Sequence, residues 1–343
     1  MTIDLAVPSP PTLEPDGDSG AKTHPVLRLL VRRLAAGVLT LWLVSILLFA
    51  ATQTLPGNAA QAALGQTATP QRVHLLEQQL HLNRPAVTQY RLWLGGLLSG
   101  HPGRSLTNGT SVTSLVIPAL KNSAVLVIFA GILGSLIAIS LGVFSAWRRD
   151  GWFDSSSSVV MLTLAALPEF VVGITLVSLF STLAFHILPA DSSFPPTQSA
   201  FAAGKILILP VATLVLVISP YIYRMTRAAM IEALNSDYVE AATMRGVSPT
   251  RILWRHALPT AFPPIIQVIG INVLYLAGGI VVVEYIFNYP GIGQLLISSI
   301  SDRDTSTLQF IVILLAAFYV LVNIAADLIS LLVTPRRRLP RWA

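Results

Sequence analysis

Of the 343 residues, 53% are hydrophobic and only 11% are charged, and the mean hydropathy is +0.69. So little charge cannot keep the surface of a soluble protein of this length wet, which places the chain in the membrane class. The absence of cysteine excludes a disulfide scaffold, a thiolate metal site and a cysteine nucleophile, and the net charge of +6 reads as basic membrane loops, not as a nucleic-acid interface.

Residues 1–27 are predicted to be a disordered tail. Their first 24 positions are rich in Pro, Asp, Gly and Ser, carry Asp4, Glu14, Asp16 and Asp18, and form no apolar face. They also lack the basic and apolar regions of a signal peptide. Six nearly uncharged stretches follow, at 34–51, 124–146, 155–185, 206–223, 257–283 and 305–326. Each has about the 18 residues a helix needs to cross a ~30 Å hydrocarbon core. Helices are favoured because lipid offers no partner for a free amide, and these runs are too long for barrel strands.

Lys22, Arg28, Arg32 and Arg33 gather on one side of this arrangement, with Arg148, Arg149, Arg224, Arg227, Arg245, Arg251, Arg255 and Arg336, Arg337, Arg338 and Arg341. The short loops of the other side hold only Lys205 and Arg303. The positive-inside rule then gives an all-α membrane protein of six transmembrane helices, both termini cytoplasmic, with a long outer segment (about 52–123) between the first two. Within that segment 73–80 and 87–98 predict amphipathic helices, and Leu75, Leu76, Leu80, Leu92, Leu94, Leu97 and Leu98 could pack a small cap.

The most informative loop lies at about 224–258. Asp237 followed by Glu240 makes a capping-box pattern, so a helix is expected from Tyr238. Tyr238, Val239, Ala241, Ala242 and Met244 give it apolar and small faces, and Gly246 suits the left-handed residue that ends it. Ser248 and Pro249 begin a second helix through Arg251, Trp254 and Arg255 toward Pro259. By spacing alone this is either a rigid handle for a partner or an ordinary basic loop.

Glu240, Ala241, Ala242, Gly246, Leu258 and Pro259 fall on the positions of the EAA-loop signature, so the loop resembles that of permease subunits in ATP-binding-cassette importers. His256 stands where an apolar residue is usual. The likeness extends over about 28–338 to the first of the two permeases in dipeptide, oligopeptide and nickel importers. Arg32-Arg33-Leu34, Leu55-Pro56-Gly57-Asn58, Leu80-His81-Leu82-Asn83-Arg84-Pro85, Gln89-Tyr90, Trp93-Leu94 and Gly103-Arg104-Ser105 carry its first third. Val283-Glu284, Phe287, Pro290-Gly291-Ile292-Gly293, Arg303-Asp304, Asn323, Asp327 and Pro335-Arg336 carry its end. Asn58, His101-Pro102 and Thr334 depart from the usual pattern.

The resemblance implies a permease domain over 28–335 and a basic tail over 336–343, in a multi-pass protein of a prokaryotic inner (cytoplasmic) membrane. It implies a second permease subunit as heterodimer partner, two ATPase subunits and an extracytoplasmic substrate-binding protein. Asp237, Tyr238, Glu240, Ala241, Ala242, Met244, Arg245 and Gly246 would couple to the ATPases. ATP and Mg would be held by those subunits, with no cofactor, metal or nucleic acid on this chain. Peptides are the expected cargo.

Three polar residues are candidates for the pathway. Glu169, after Pro168 in the third stretch, carries a charge that costs about 2.5–3.5 kcal/mol at mid-membrane, so it must face protein or water. It either lines the pathway, where it could meet a peptide's amino group, or partners Asn272 or backbone freed at a Pro168 kink. Asn272 either lines the pathway or makes a helix–helix hydrogen bond. Glu284 lines the outer mouth or is an inert interfacial carboxylate. Asp327 suits a structural ion pair with a nearby arginine, and Gly131, Gly134 and Gly142 suit close helix packing. No P-loop, H-E-x-x-H or G-x-S-x-G pattern occurs, so no catalysis is expected of this chain. The alternative is a stand-alone secondary transporter or channel for a small solute.

Overall fold

The computed structural model describes residues 25–54, 68–79, 83–195 and 200–333. The predicted tails at 1–24 and 336–343 lie outside them, as do 55–58, 80–82 and 334–335. The described residues are almost wholly helical, and their one β feature is an isolated bridge between Arg104 and Ser111.

Helix α1 (Pro25–Thr54) begins inside the stretch read as tail, because proline is at home in a first turn. Two short helices follow, α2 (Pro70–Gln79) and α3 (Ala86–Leu98), then the long α4 (Val112–Trp147). Next come α5 (Trp152–Ala166) and α6 (Glu169–Val177), the latter prolonged by a π turn over Ser178–Leu183. A 3₁₀ stretch, Ala200–Leu207, leads into α7 (Ile208–Leu234). The hairpin helices are α8 (Asp237–Met244) and α9 (Pro249–Ile252), and a π turn at Leu253–Ala257 runs α9 into α10 (Leu258–Ile286). Helices α11 (Ile292–Ser301) and α12 (Thr305–Val333) complete the fold.

Five helices are long and apolar enough to cross a membrane, or six spans if the bent pair α5–α6 is one. The third stretch was expected as a single span kinked at Pro168. It is instead broken, with a bend of 106° between α5 and α6. Pro168 has an extended backbone (φ −59°, ψ 146°) and the preceding Leu167 is extended as well, as a residue before proline must be.

Helix α7 is the axle of the bundle, packed on α4, α10, α5 and α6. Its buried face supplies Leu209, Leu214, Val215, Ile218, Ile222 and Tyr223 to the main core. The α4–α7 approach is close because α4 offers glycines there. A Cβ on Gly142 would lie 2.9 Å from both Thr226 Cβ and the Tyr223 carbonyl oxygen, and one on Gly134 would press on Ile218. The expected packing role of these two residues is thus met. Helices α1 and α12 pair beside this core, fastened by Arg33 Nε to Asp327 Oδ2 at 2.8 Å, the ion pair anticipated for Asp327.

Among the described residues the leucine cap is not found; Leu80 lies outside them. Helix α3 has no buried residue, and Leu75, Leu92 and Leu98 are exposed. An aromatic cluster secures α3 instead: Phe49 of α1 meets Tyr90 edge-on at 5.4 Å and Trp93 at 5.9 Å. Hydrogen bonds between Ser45 and Tyr90 (2.8 Å) and from Gln53 to Gln89 (2.8 Å) add to it. Buried Asp304 ties the end of the 52–123 segment to α12: it accepts hydrogen bonds from Ser105 Oγ, the Leu106 amide, and the amide and hydroxyl of Thr307. The Thr307 amide is the third of α12, so Asp304 also caps that helix.

Candidate functional site

Helix α8 stands between two long helices and packs by one face only. Val239 and Ala242 are buried with Ile252 of α9, against Leu234 and Val247. Tyr238, Glu240, Met244, Arg245 and Gly246 are exposed, and Ala241 is half-buried. The two alanines therefore do not form one open face, because Ala242 closes the hairpin on itself. The expected capping box is absent as well. Ser236 is the N-cap residue, the helix begins at Asp237, and no side chain caps it, since Ser236 Oγ donates to the Ala233 carbonyl. Asp237 and Glu240 still place negative charge in the first turn, where the helix dipole favours it.

Gly246 ends α8 at φ +74°, as its position predicted. The Gly246 amide donates to the Thr243 carbonyl and the Val247 amide to the Ala242 carbonyl, the Schellman pair that satisfies the last turn. Ser248 is the extended residue before Pro249 at the start of α9. The link from α8 to the spanning helix is direct: Tyr238 Oη lies 2.7 Å from His256 Nδ1, with the rings 5.3 Å apart. His256 is in the π turn that runs into α10, so this contact ties α8 to that helix.

Of the three pathway candidates, Glu169 alone keeps an accessible position. It is the first residue of α6, where a carboxylate meets the positive end of a helix broken within the apolar zone. Tyr275 of α10 donates to its Oε2 at 3.1 Å, and Gly279 leaves room beside the carboxylate. Its partner is thus neither Asn272 nor a kinked backbone. Asn272 is buried and donates to the Val268 carbonyl one turn back in its own helix, at the wall of a cavity of about 510 Å³ between α4, α7 and α10.

Glu284 has no exposure at all and does not line the outer mouth. It accepts from Ser123 Oγ of α4 at 2.5 Å and from the Gly293 amide at 2.6 Å, which closes the turn between α10 and α11. Ser123 Oγ also accepts from the Ile292 amide at 2.8 Å. Tyr289 donates to the Asn122 carbonyl in the same knot, and burial, then the neighbouring Glu284, push its phenol above the usual range, so it stays a donor.

A second polar centre escaped the sequence. Asp154, near the start of α5, is held by Arg227 of α7, with Nε at 2.6 Å and Nη2 at 2.7 Å, and also by Ser145 Oγ and the Asp150 amide. Buried Tyr223 joins Ser145, Ser157 and Ser158 to the same cluster. A lone acid opening an apolar stretch, with arginines on the same side of the membrane, was the available signal.

Residues 138–339 match the family described as binding-protein-dependent transport system inner membrane component, and residues 26–123 match the N-terminal membrane component of the same systems. The chain is 34% identical over 309 residues to the probable peptide ABC transporter permease y4tP of Sinorhizobium fredii, covering 90% of this chain and 98% of the relative. It is 31% identical to the dipeptide transport system permease DppB of Alkalihalophilus pseudofirmus (89% and 98%). It is 28% identical to the glutathione transport system permease GsiC of Escherichia coli (91% and 99%). A solved structure of the MetNI methionine ABC transporter in inward-facing conformations superposes on 62% of this chain and 93% of its own, with a TM-score of 0.50 and 19% identity, a likeness of fold alone.

Proposed function

The chain belongs to the family of inner membrane components of binding-protein-dependent transport systems, and from that membership we propose that it is the permease subunit of an ATP-binding-cassette importer for peptides. The observation that carries this reading is α8, a helix secured by one face between two spanning helices, tied to α10 through Tyr238 and His256, and open on the other face. Such an element suits the transfer of a partner's movement into the bundle.

In this reading Asp237, Tyr238, Glu240, Met244, Arg245 and Gly246 meet an ATPase subunit, with Ala241 at the rim of the contact. A second permease completes the pathway, two ATPase subunits hold ATP and Mg, and a binding protein delivers cargo to the 52–123 segment. The chain crosses the inner membrane of a prokaryote six times, with α5–α6 as one broken span and both ends cytoplasmic. Peptide cargo is supported by the relatives that are named as peptide and dipeptide permeases.

Mild detergent extraction of the tagged chain from its native membrane tests this directly. Mass spectrometry of the purified complex is expected to find a second permease and ATPase subunits, and proteoliposomes of the complex to take up peptide only with internal ATP. Peptide movement by the chain alone, without ATP, would favour the secondary transporter or channel and end the importer reading.

A further inference from the structure

We infer that Arg224 binds the carboxylate of the transported solute, so that this chain itself reads the C-terminal end of a short zwitterionic peptide. The inference rests on the peptide-importer reading. A cavity of about 600 Å³ opens between α5, α7 and α10. Two guanidinium groups reach its wall. That of Arg227 is neutralised by the two-point pairing with Asp154. That of Arg224 is exposed and makes no ion pair with any described residue.

Arg224 lies roughly 24 Å along the α7 axis from Ile208 at ~1.5 Å per residue, so it is still within a helix long enough to span the membrane. There, at the end of the apolar stretch where the 224–258 loop begins, an unpaired guanidinium meets water or an anion. The rest of the wall is mainly apolar, with Leu162, Met225 and Val268 around it. An apolar pocket with one convergent guanidinium fits an organic carboxylate, which the planar fork can grip at two points.

The opposite charge lies beyond the cavity wall. Tyr221 on its rim has its ring 6.2 Å from that of Tyr275, and the Tyr275 hydroxyl donates to Glu169. Both tyrosines are exposed. A run from cation through two aromatic faces to anion complements a molecule with a carboxylate at one end, an ammonium at the other and a small apolar body between. A simple anion would use one end of it only. A lipid phosphate could also meet Arg224, and the test separates the two sources.

The assembled transporter, with its own binding protein, is reconstituted in proteoliposomes with internal ATP. Uptake is compared for dialanine, dialanine amide and N-acetyl-dialanine. The binding protein is the same throughout, so any change in the acid-to-amide ratio between wild type and variant comes from the permease. Arg224→Gln is expected to reduce that ratio at least tenfold and leave the ratio of free to acetylated amine alone, while Arg224→Lys keeps part of it. Glu169→Gln is expected to do the converse. ATPase activity of each purified complex reports assembly. Equal loss for acid and amide in both Arg224 variants, or an unchanged ratio, overturns the inference and marks a lipid-facing or structural arginine. Failure of the wild type to take up any of the three peptides overturns the peptide reading itself, and the inference with it.

Discussion

A carboxylate without access to water must be held by donors, and Glu284 is held by groups from two other parts of the chain. The fit is tight enough that a Cβ on Gly291 would run into the Glu284 carboxylate, and one on Gly293 into the Val281 backbone. Glu284→Ala leaves the Ser123 hydroxyl and the Gly293 amide without their acceptor. Each buried donor so stranded costs about 1–3 kcal/mol, so the thermal midpoint of the detergent-purified chain should fall clearly. Glu284→Gln, which keeps one acceptor oxygen, should fall less. Gly291→Ala should resemble the alanine variant at 284, whereas Gly278→Ala, with nothing within 4 Å of the added carbon, should be nearly silent. Equal midpoints for all four would show that the knot contributes nothing to holding α10 on α11. The ion pair of Asp154 with Arg227 plays a similar part between α5 and α7, where loss of the acid would leave a partly buried cation uncompensated.

At the scale of elements, the α8–α9 hairpin depends on one backbone angle. Gly246 at φ +74° permits both Schellman hydrogen bonds, and a side chain in that conformation costs about 1–2 kcal/mol. Gly246→Ala is therefore expected to raise amide exchange across 237–252 by roughly 5–30-fold while the spanning helices keep their protection. Unchanged exchange there would show that the hairpin is held by its packing alone. The role of Gly246 was legible in the sequence because it follows from sterics local to a few residues. The start of the same helix was read one residue late, since Ser236 and Asp237 are both good cap formers and the Asp237–Glu240 spacing drew the choice. Ser236 won although its hydroxyl turned back to Ala233. The break at Leu167–Pro168 was visible as a proline, but its 106° was not, because apolar composition continues unchanged across it. Nor was the burial of Glu284 visible, because its donor Ser123 lies 161 residues away in sequence.

For the whole molecule, hydropathy located the long apolar segments and charge gave their expected direction, since both are sums over many residues and tolerate local error. Contacts between segments, such as Asp154 with Arg227 or Asp304 with Ser105, depend on which helix faces which and were not legible. Direction is the premise of the coupling argument, because α8 can meet an ATPase only from the cytoplasm. The chain allows that premise to be tested without background, as it has no cysteine to remove. Ser248, exposed at the start of α9, and Asn108, exposed in the 52–123 segment, can each be replaced by cysteine singly. In spheroplasts a membrane-impermeant maleimide should label Asn108→Cys and spare Ser248→Cys. In inverted vesicles the pattern should reverse. Labelling of Ser248→Cys from the outside would put the hairpin beyond the reach of any ATPase, and labelling of both positions from one side would require an even number of crossings between 108 and 248. Between those positions lie α4, the broken pair α5–α6 and α7. Opposite sidedness therefore requires the bent pair to cross as one span, as it does in a six-span chain, and the same two cysteines report both the direction of the bundle and whether its broken helix traverses the bilayer.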